Sequence, residues 1–163
     1  MISLEDLPRR AADAYPAFRR LFDRLKRRPP RDLDEQVGAL HDEVFEQTDC
    51  LQCANCCRTT SPIFIEADIA RIARYLRMRP SEFASRYLRI DEDGDYVFTG
   101  APCPFLGADN FCSIYEARPR ACREYPHTDR KRFHQILDLT LRNTAICPAA
   151  FEIVRRLERQ LGQ

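Results

Sequence analysis

Cys50-Leu51-Gln52-Cys53-Ala54-Asn55-Cys56-Cys57 decides how this chain is read. Half of its eight cysteines fall within these consecutive residues, and Cys103, Cys112, Cys122 and Cys147 follow at wider spacing. Thiols this crowded cannot disperse through an apolar core as ordinary small side chains. They are read as held for chemistry, and metal binding is the simplest chemistry to expect. The rest of the chain then becomes scaffold that returns the later cysteines to the early four.

At 163 residues, with 44% hydrophobic and 31% charged content, the chain is long enough to bury its own core and is ordinary for a soluble globular protein. A formal net charge of +1 gives no overall drive toward nucleic acid or an anionic membrane, so neither is expected as a partner. The stretch from Met1 to Pro8 has acids and a proline where a signal peptide needs an apolar run. No segment approaches the ~20 apolar residues of a membrane span. A cytoplasmic address is expected, where thiols stay reduced. An even cysteine count also admits a disulfide scaffold, but adjacent Cys56 and Cys57 cannot pair with each other without severe strain.

Working outward toward the N-terminus, Tyr15, Phe18, Leu21, Phe22 and Leu25 recur at helical period over 9–28, with Pro16 as a start or a kink and Pro29-Pro30 as the stop. Asp32 and Glu35 read as a capping box for a second helix carrying Leu33, Val37, Leu40 and Val44. Residues 1–31 hold nine basic against four acidic side chains, whereas 32–49 hold seven acids and no Arg or Lys. An antiparallel pair with complementary charges is expected.

Toward the C-terminus, Pro62–Ile65 reads as a short strand, and Glu66 and Asp68 open a helix bearing Ile69, Ile72, Ala73 and Leu76. Ser81 caps the next helix, with Phe83, Tyr87 and Leu88 inward. Asp91–Asp95 is a turn before a strand at Tyr96–Phe98; it lacks the spacing of a calcium loop. Residues 100–128 are irregular, with a tight turn at Gly107–Asn110 and a short helix opened by Pro119. Residues 130–142 fit a helix or a strand, and Cys147-Pro148 starts a final helix with Phe151, Val154, Leu157 and Leu161 on its apolar face. The expected fold class is α+β, mostly helical with a few short strands and an irregular cysteine-rich metal-binding core. Residues 1–49 are read as a helical hairpin packed on that core and 50–163 as the cysteine-cluster domain.

The C-x2-C-x2-C run of Cys50, Cys53 and Cys56 places three thiolates on one tight segment, the local pattern that holds three corners of a 4Fe–4S cluster in bacterial ferredoxins, whose further ligand is a distant Cys-Pro. Cys103-Pro104 and Cys147-Pro148 both have that form. Structural zinc sites more often present two separated C-x2-C knuckles, and the second half of the chain has none. Spacing therefore tilts toward iron–sulfur, while zinc held by scattered cysteines stays open. All eight cysteines, Cys50, Cys53, Cys56, Cys57, Cys103, Cys112, Cys122 and Cys147, are candidate metal ligands. Cys57 is the odd member, its side chain expected to turn away from Cys56. His127 is the candidate nitrogen ligand or hydrogen-bond donor, whereas His41 and His134 read as structural. Arg58, Arg118, Arg120 and Arg123 lie close enough in sequence to offset thiolate charge.

Cys50-x2-Cys53-x2-Cys56-Cys57, Pro62-Ile63, Glu66-Ala67-Asp68-Ile69, Cys103-Pro104-Phe105-Leu106, Cys112-Ser113-Ile114-Tyr115-Glu116-Ala117-Arg118-Pro119 and Cys122-Arg123-Glu124-Tyr125-Pro126 follow in an order that resembles the YkgJ-type cysteine-cluster proteins, the CxxCxxCC family. The resemblance covers about residues 50–150. It implies a small bacterial protein whose cysteines chelate zinc or iron. A similar pattern occurs in flagellin lysine N-methylases, so the module can sit within an enzyme, although this chain has no glycine-rich nucleotide loop. The expected function is therefore chelation of iron, as an iron–sulfur cluster (4Fe–4S), or of Zn2+, in a structural or redox role. The alternative is an enzyme, an oxidoreductase or a protein-modifying one, with the centre at its active site and with Tyr115, Glu124, Tyr125, His127 or Cys57 as the nearby reactive groups.

Overall fold

The computed structural model describes residues 2–161. In chain order its helices are α1 (Leu7–Arg27), α2 (Leu33–Phe45), α3 (Cys50–Cys53), α4 (Asn55–Thr59), α5 (Glu66–Tyr75) and α6 (Pro80–Tyr87). Strands β1 (Leu88–Ile90) and β2 (Tyr96–Phe98) follow, then α7 (Arg120–Glu124), α8 (Leu137–Asn143) and α9 (Pro148–Leu161). The molecule is mostly helical with one two-stranded sheet, in keeping with the expected α+β class. Contacts divide the chain into two compact units that do not follow chain order: residues up to Cys50 join those from Pro126 onward, and Leu51–Tyr125 form the other.

The helical unit is built on α9, against which α1 and α2 each pack. Its core holds Phe18, Phe22, Leu25, Leu40, Phe133, Ile153 and Leu157, all nearly or fully buried, which is the apolar stripe that the 3.6-residue period produces. Pro16 lies inside α1 without ending it; it sits on the exposed side, where water takes the carbonyl that its missing N–H leaves over. The expected pairing of α1 with α2 by charge is not found. Arg19 and Lys26 reach Asp138 of α8, at 3.2 and 2.7 Å, and Glu43 of α2 meets Arg156 of α9 at 3.0 Å. Nor does Asp32 cap α2. Its φ of −100° and ψ of 18° are not the extended N-cap conformation, and its side chain makes no capping bond. Asp34 instead accepts the backbone N–H groups of Arg132 and Phe133, at 2.6 and 2.9 Å.

In the unit Leu51–Tyr125, β1 and β2 pair antiparallel with Leu88 opposite Phe98 and Ile90 opposite Tyr96. The hairpin turn forms as the acidic run suggests: Asp91 Oδ1 accepts the N–H groups of Asp93 and Asp95, at 3.0 and 2.9 Å, and Gly94 takes the left-handed φ of 86°. Pro62–Ile65 does not become a strand. Pro62 has no N–H to give, and the segment meets β2 through the Phe64–Tyr96 bridge and the Phe64 ring on Phe98, while Ser61 Oγ just before it accepts the Phe98 N–H at 2.7 Å. The next helix, α6, starts at Pro80 after Arg79 and not behind Ser81, because proline's fixed φ suits the first helical position. Residues 130–142, read as helix or strand, are a 3-10 turn at Phe133–Ile136 followed by α8. The core of this unit is aromatic: Phe64 meets Phe98 edge-on at 4.7 Å, Tyr87 lies 5.0 Å from Phe105, and Cys103 and Cys112 pack at its margin.

Candidate metal centre

The cysteine run folds as two single-turn helices, α3 and α4, separated by Ala54, which is buried and left-handed at φ 47°. That reversal keeps the run from continuing as one helix. Arg58 ties its ends by donating to the Cys53 carbonyl at 3.1 Å and to the Asn110 side chain. The Cys57 carbonyl accepts the Cys103 N–H at 2.8 Å, so the early run and the first late cysteine meet through backbone. Between Cys103 and Cys112 the chain doubles back through the expected turn, with Asn110 N–H on the Gly107 carbonyl at 3.0 Å and Gly107 N–H on the Phe111 carbonyl at 2.8 Å. A Cβ at Gly107 would crowd this turn, standing 2.6 Å from the Asp109 side-chain oxygen Oδ1 and 3.2 Å from the Phe111 carbonyl oxygen. Cys122 sits in α7, its N–H on the Pro119 carbonyl at 3.0 Å.

Four thiols in this unit sense one another. Cys57 is drawn down to about 7, first by a hydrogen bond from the Cys56 thiol and then, against the opposing effect of burial, by the charges of Arg58 and Arg118. The expectation that Cys57 turns away from Cys56 is thus not met. Burial pushes Cys103 up to about 11, and negative charge at Cys57 and Cys112 adds to the rise, while the backbone N–H groups of Phe105 and Leu106 oppose it. Cys112 is raised by burial and by Cys57, against the Ile114 N–H and Arg118. Cys122 is pushed up to about 12, first by desolvation and then by Cys57, Cys103 and Cys112, with Arg118 again opposing. The residue as a whole is exposed, so the direction of the shift counts for more than its size. Once one of these thiols ionises, the others resist doing so; a bound cation reverses that preference.

One clip in this unit is absent from the cysteine spacing. Asp68, 1% exposed, accepts from Arg71 at 2.5 Å and from the Arg120 N–H at 3.1 Å. Arg71 in turn donates to the Arg118 carbonyl at 2.9 Å. An acid at the third position of a helix marks Asp68 as a local capping group, and no sequence signal joins it to residues 118–120. Among the four arginines expected to balance thiolate charge, Arg58 and Arg118 act on the thiols, while Arg120 pairs with Glu124 at 2.6 Å.

The remaining cysteines are distributed as follows. Cys53 and Cys56 lie on α3 and α4, half-buried. Cys50 and Cys147 belong to the helical unit, where Cys147 Sγ accepts the Ala150 N–H at 3.5 Å at the start of α9. His127 belongs there too, left-handed at φ 67°. His41 bonds Thr128 at 2.8 Å and stacks on Phe45, the structural role expected of it. Cys53, Cys57, Cys103, Cys112 and Cys122 are thiols outside any disulfide. Among the described residues, no three Cys, His, Asp or Glu side chains stand close enough together to hold a metal as they are. The donor chemistry nevertheless suits zinc or iron. Cys57, Cys103, Cys112 and Cys122 are soft ligands, backbone N–H groups already point at two of them, and Arg118 Nε is a buried donor with no acceptor.

Clustered cysteines in one unit, with backbone N–H groups toward Cys103 and Cys112, mark a cysteine-cluster protein. The chain belongs to the CxxCxxCC family, described as "Putative zinc- or iron-chelating domain", whose model matches residues 49–144. It is also similar, at 34% identity over 86 residues, to an uncharacterized protein of Methanocaldococcus jannaschii; the match covers 51% of this chain and 46% of that relative's length. No solved structure matches the chain. No helix of the described residues is long and apolar enough to cross a membrane.

Proposed function

We propose that this chain is a metal-binding protein that chelates iron, as an iron–sulfur cluster, through its clustered cysteines, in a structural or redox role. Cys57, Cys103, Cys112 and Cys122 are the ligands best supported, and Cys50, Cys53, Cys56 and Cys147 are further candidates on spacing alone. The observation that supports the reading is that one compact unit carries Cys57, Cys103, Cys112 and Cys122: the Cys103 N–H lies on the Cys57 carbonyl, Cys112 pairs with Leu106 across the turn, and Cys122 follows ten residues later. A bound cluster would supply one-electron chemistry or a rigid cross-link; the chain's part is to present thiolates, hold them with N–H donors and limit water.

Zinc is the second reading, favoured by a specific observation. The four thiols come one at a time from distant positions, the scattered arrangement a tetrahedral zinc site tolerates. The enzyme reading has less support, because Tyr115 lies under Arg118 and Glu124 is taken up by Arg120. Cysteines held for a metal and not for cross-links favour a reducing, cytoplasmic address. The test is anaerobic purification of the full chain with metal analysis and a visible spectrum. A brown protein with iron and acid-labile sulfide is the expected result; a colourless one with zinc favours the second reading, and a preparation that takes up neither metal overturns both.

A further inference from the structure

Two basic stretches of the helical unit meet where α1 ends. The first closes α1 and runs on beyond it, with Arg27, Arg28 and Arg31 exposed. The second, Arg130, Lys131 and Arg132, leads into the 3-10 turn and is exposed throughout. Two links bring them together. Lys26 reaches Asp138, at the start of α8, at 2.7 Å. Asp34, three residues after Arg31, accepts the Arg132 and Phe133 N–H groups at 2.6 and 2.9 Å. The same two bonds hold Arg132 left-handed at φ 58°, a conformation that few side chains adopt. Acids elsewhere in the unit do not answer these charges. Asp34 is spent on backbone, Asp23 and Asp138 on Arg19 and Lys26, and Glu43 on Arg156. Asp32, Glu35 and Asp129 lie in the same segments, yet among the described residues none of the six basic side chains makes a salt bridge. Basic groups in a last turn complement the helix dipole, which accounts for Arg27. Arg31 and the three residues of the loop lie outside α1 and have no such reason.

We propose that this basic surface docks the phosphate backbone of a nucleic-acid duplex, without reading its base sequence. Five of the six groups are guanidinium, which meets phosphate oxygens two at a time. No large apolar side chain is exposed among residues 20–34 or 129–136. A protein partner would call for an apolar or aromatic anchor. A membrane surface would call for an apolar face to insert, and a single strand for rings on which bases stack. The phosphates of a duplex call for none of these. The net charge of +1 averages this surface with acids elsewhere and does not describe it. The inference stands apart from the metal centre, since all six residues belong to the helical unit.

The experiment titrates the full chain into a labelled DNA duplex of mixed sequence, about 20 base pairs long, and reads fluorescence anisotropy across a range of salt. The logarithm of the affinity should fall linearly with that of salt, with about 0.9 of slope for each phosphate contact. Arg130→Gln/Lys131→Gln/Arg132→Gln and Arg27→Gln/Arg28→Gln/Arg31→Gln are each expected to weaken binding by about tenfold or more at low salt. Each should also flatten the slope by about 2. Arg74→Gln/Arg77→Gln/Arg79→Gln removes equal charge from exposed positions of the other unit. It should stay within about threefold of the parent, because binding follows local charge. A duplex that does not bind, or a control variant that loses as much as the other two, overturns the inference. Tighter binding to the matching single strand, or to vesicles rich in phosphatidylglycerol, overturns it as well. Should one of the two patch variants fail to fold, the other decides by the same affinity and slope.

Discussion

The two units of this molecule are held together by different physics. In the helical unit, long helices bury continuous apolar stripes; Phe18 meets Phe151 at 5.5 Å, and Val37, Ile153 and Leu157 have no exposed surface. Some of its buried polar groups have local partners, with Thr140 and Thr144 hydroxyls on backbone carbonyls one turn back, and others reach across the unit, as Thr128 does to His41 and Asn143 to the Pro126 carbonyl. The thiol unit has no helix longer than α5, and its sheet is a single hairpin. Isolated elements of that size are marginal in water. It compensates with side chains that clip backbone across long separations, and it keeps buried guanidinium nitrogens without acceptors at Arg71 and Arg118. The contrast teaches that one unit is stable because of what it excludes, and the other is shaped by what it can coordinate.

Removing a thiol should therefore act on one unit and spare the other, and this is the largest effect expected. Metal binding at structural cysteine sites is worth roughly 10 kcal/mol or more, and that energy is folding energy. In Cys112→Ser, amide protection over Leu51–Tyr125 should collapse, while α1, α2 and α9 exchange as in the parent. Hydrogen exchange read by mass spectrometry separates the cases. Equal protection of the thiol unit in parent and variant would sink the idea that coordination holds it.

The converse change comes next in size. Leu157 is fully buried in the helical core, and Leu157→Ala should cost about 2–5 kcal/mol through lost transfer energy and the cavity left behind. The expected signature is a lower unfolding midpoint for the helical unit with unchanged metal content. Metal loss in this variant would mean that the two kinds of stability are not separable.

The same contrast explains what was legible in sequence. The helical period over Phe18, Leu21, Phe22 and Leu25 locates α1 because burial repeats every turn, and the Asp91–Asp95 run locates the hairpin because its hydrogen bonds are local. Asp68 favours its own helix start, as its place in the first turn implies, and accepts the Ile65 N–H, but it also acts at a distance, as Asp34 does. Asp34 serves backbone 98 and 99 residues away, and Asp68 serves backbone 52 residues away. Such pairings leave no period in the chain. The opposite charges of the first two helices suggested mutual neutralisation, but α9 takes the place between the partners that chain order implies. The cysteine spacing singles out Cys50, Cys53 and Cys56 as candidate ligands. It did not reveal that Cys57 is the thiol whose charge bears on Cys103, Cys112 and Cys122. Proximity of that kind is a property of the turn at Gly107 and of the clip at Asp68.

The smallest expected effect sharpens the comparison by showing what electrostatics contributes where burial dominates. Glu152 is held below its ordinary value of 4.5, first by the hydrogen bond from Arg155 and also by Arg156, with burial working the other way. Its side chain is 17% exposed and those of both arginines are 33% exposed, so water screens part of the attraction. Replacing it by Gln should cost the helical unit about 1 kcal/mol near neutral pH. The sign with pH follows from the direction of the shift. A carboxylate whose folded-state value lies below its unfolded one stabilises the fold above the unfolded value and loses that contribution as pH falls through the folded value. The gap between parent and Glu152→Gln in urea midpoint should thus be full at pH 7, narrow below 4.5, and close once the parent's carboxylate is protonated. A gap that stayed constant into acid would assign the effect to packing and hydrogen-bond shape, making the helical unit still more purely a product of burial.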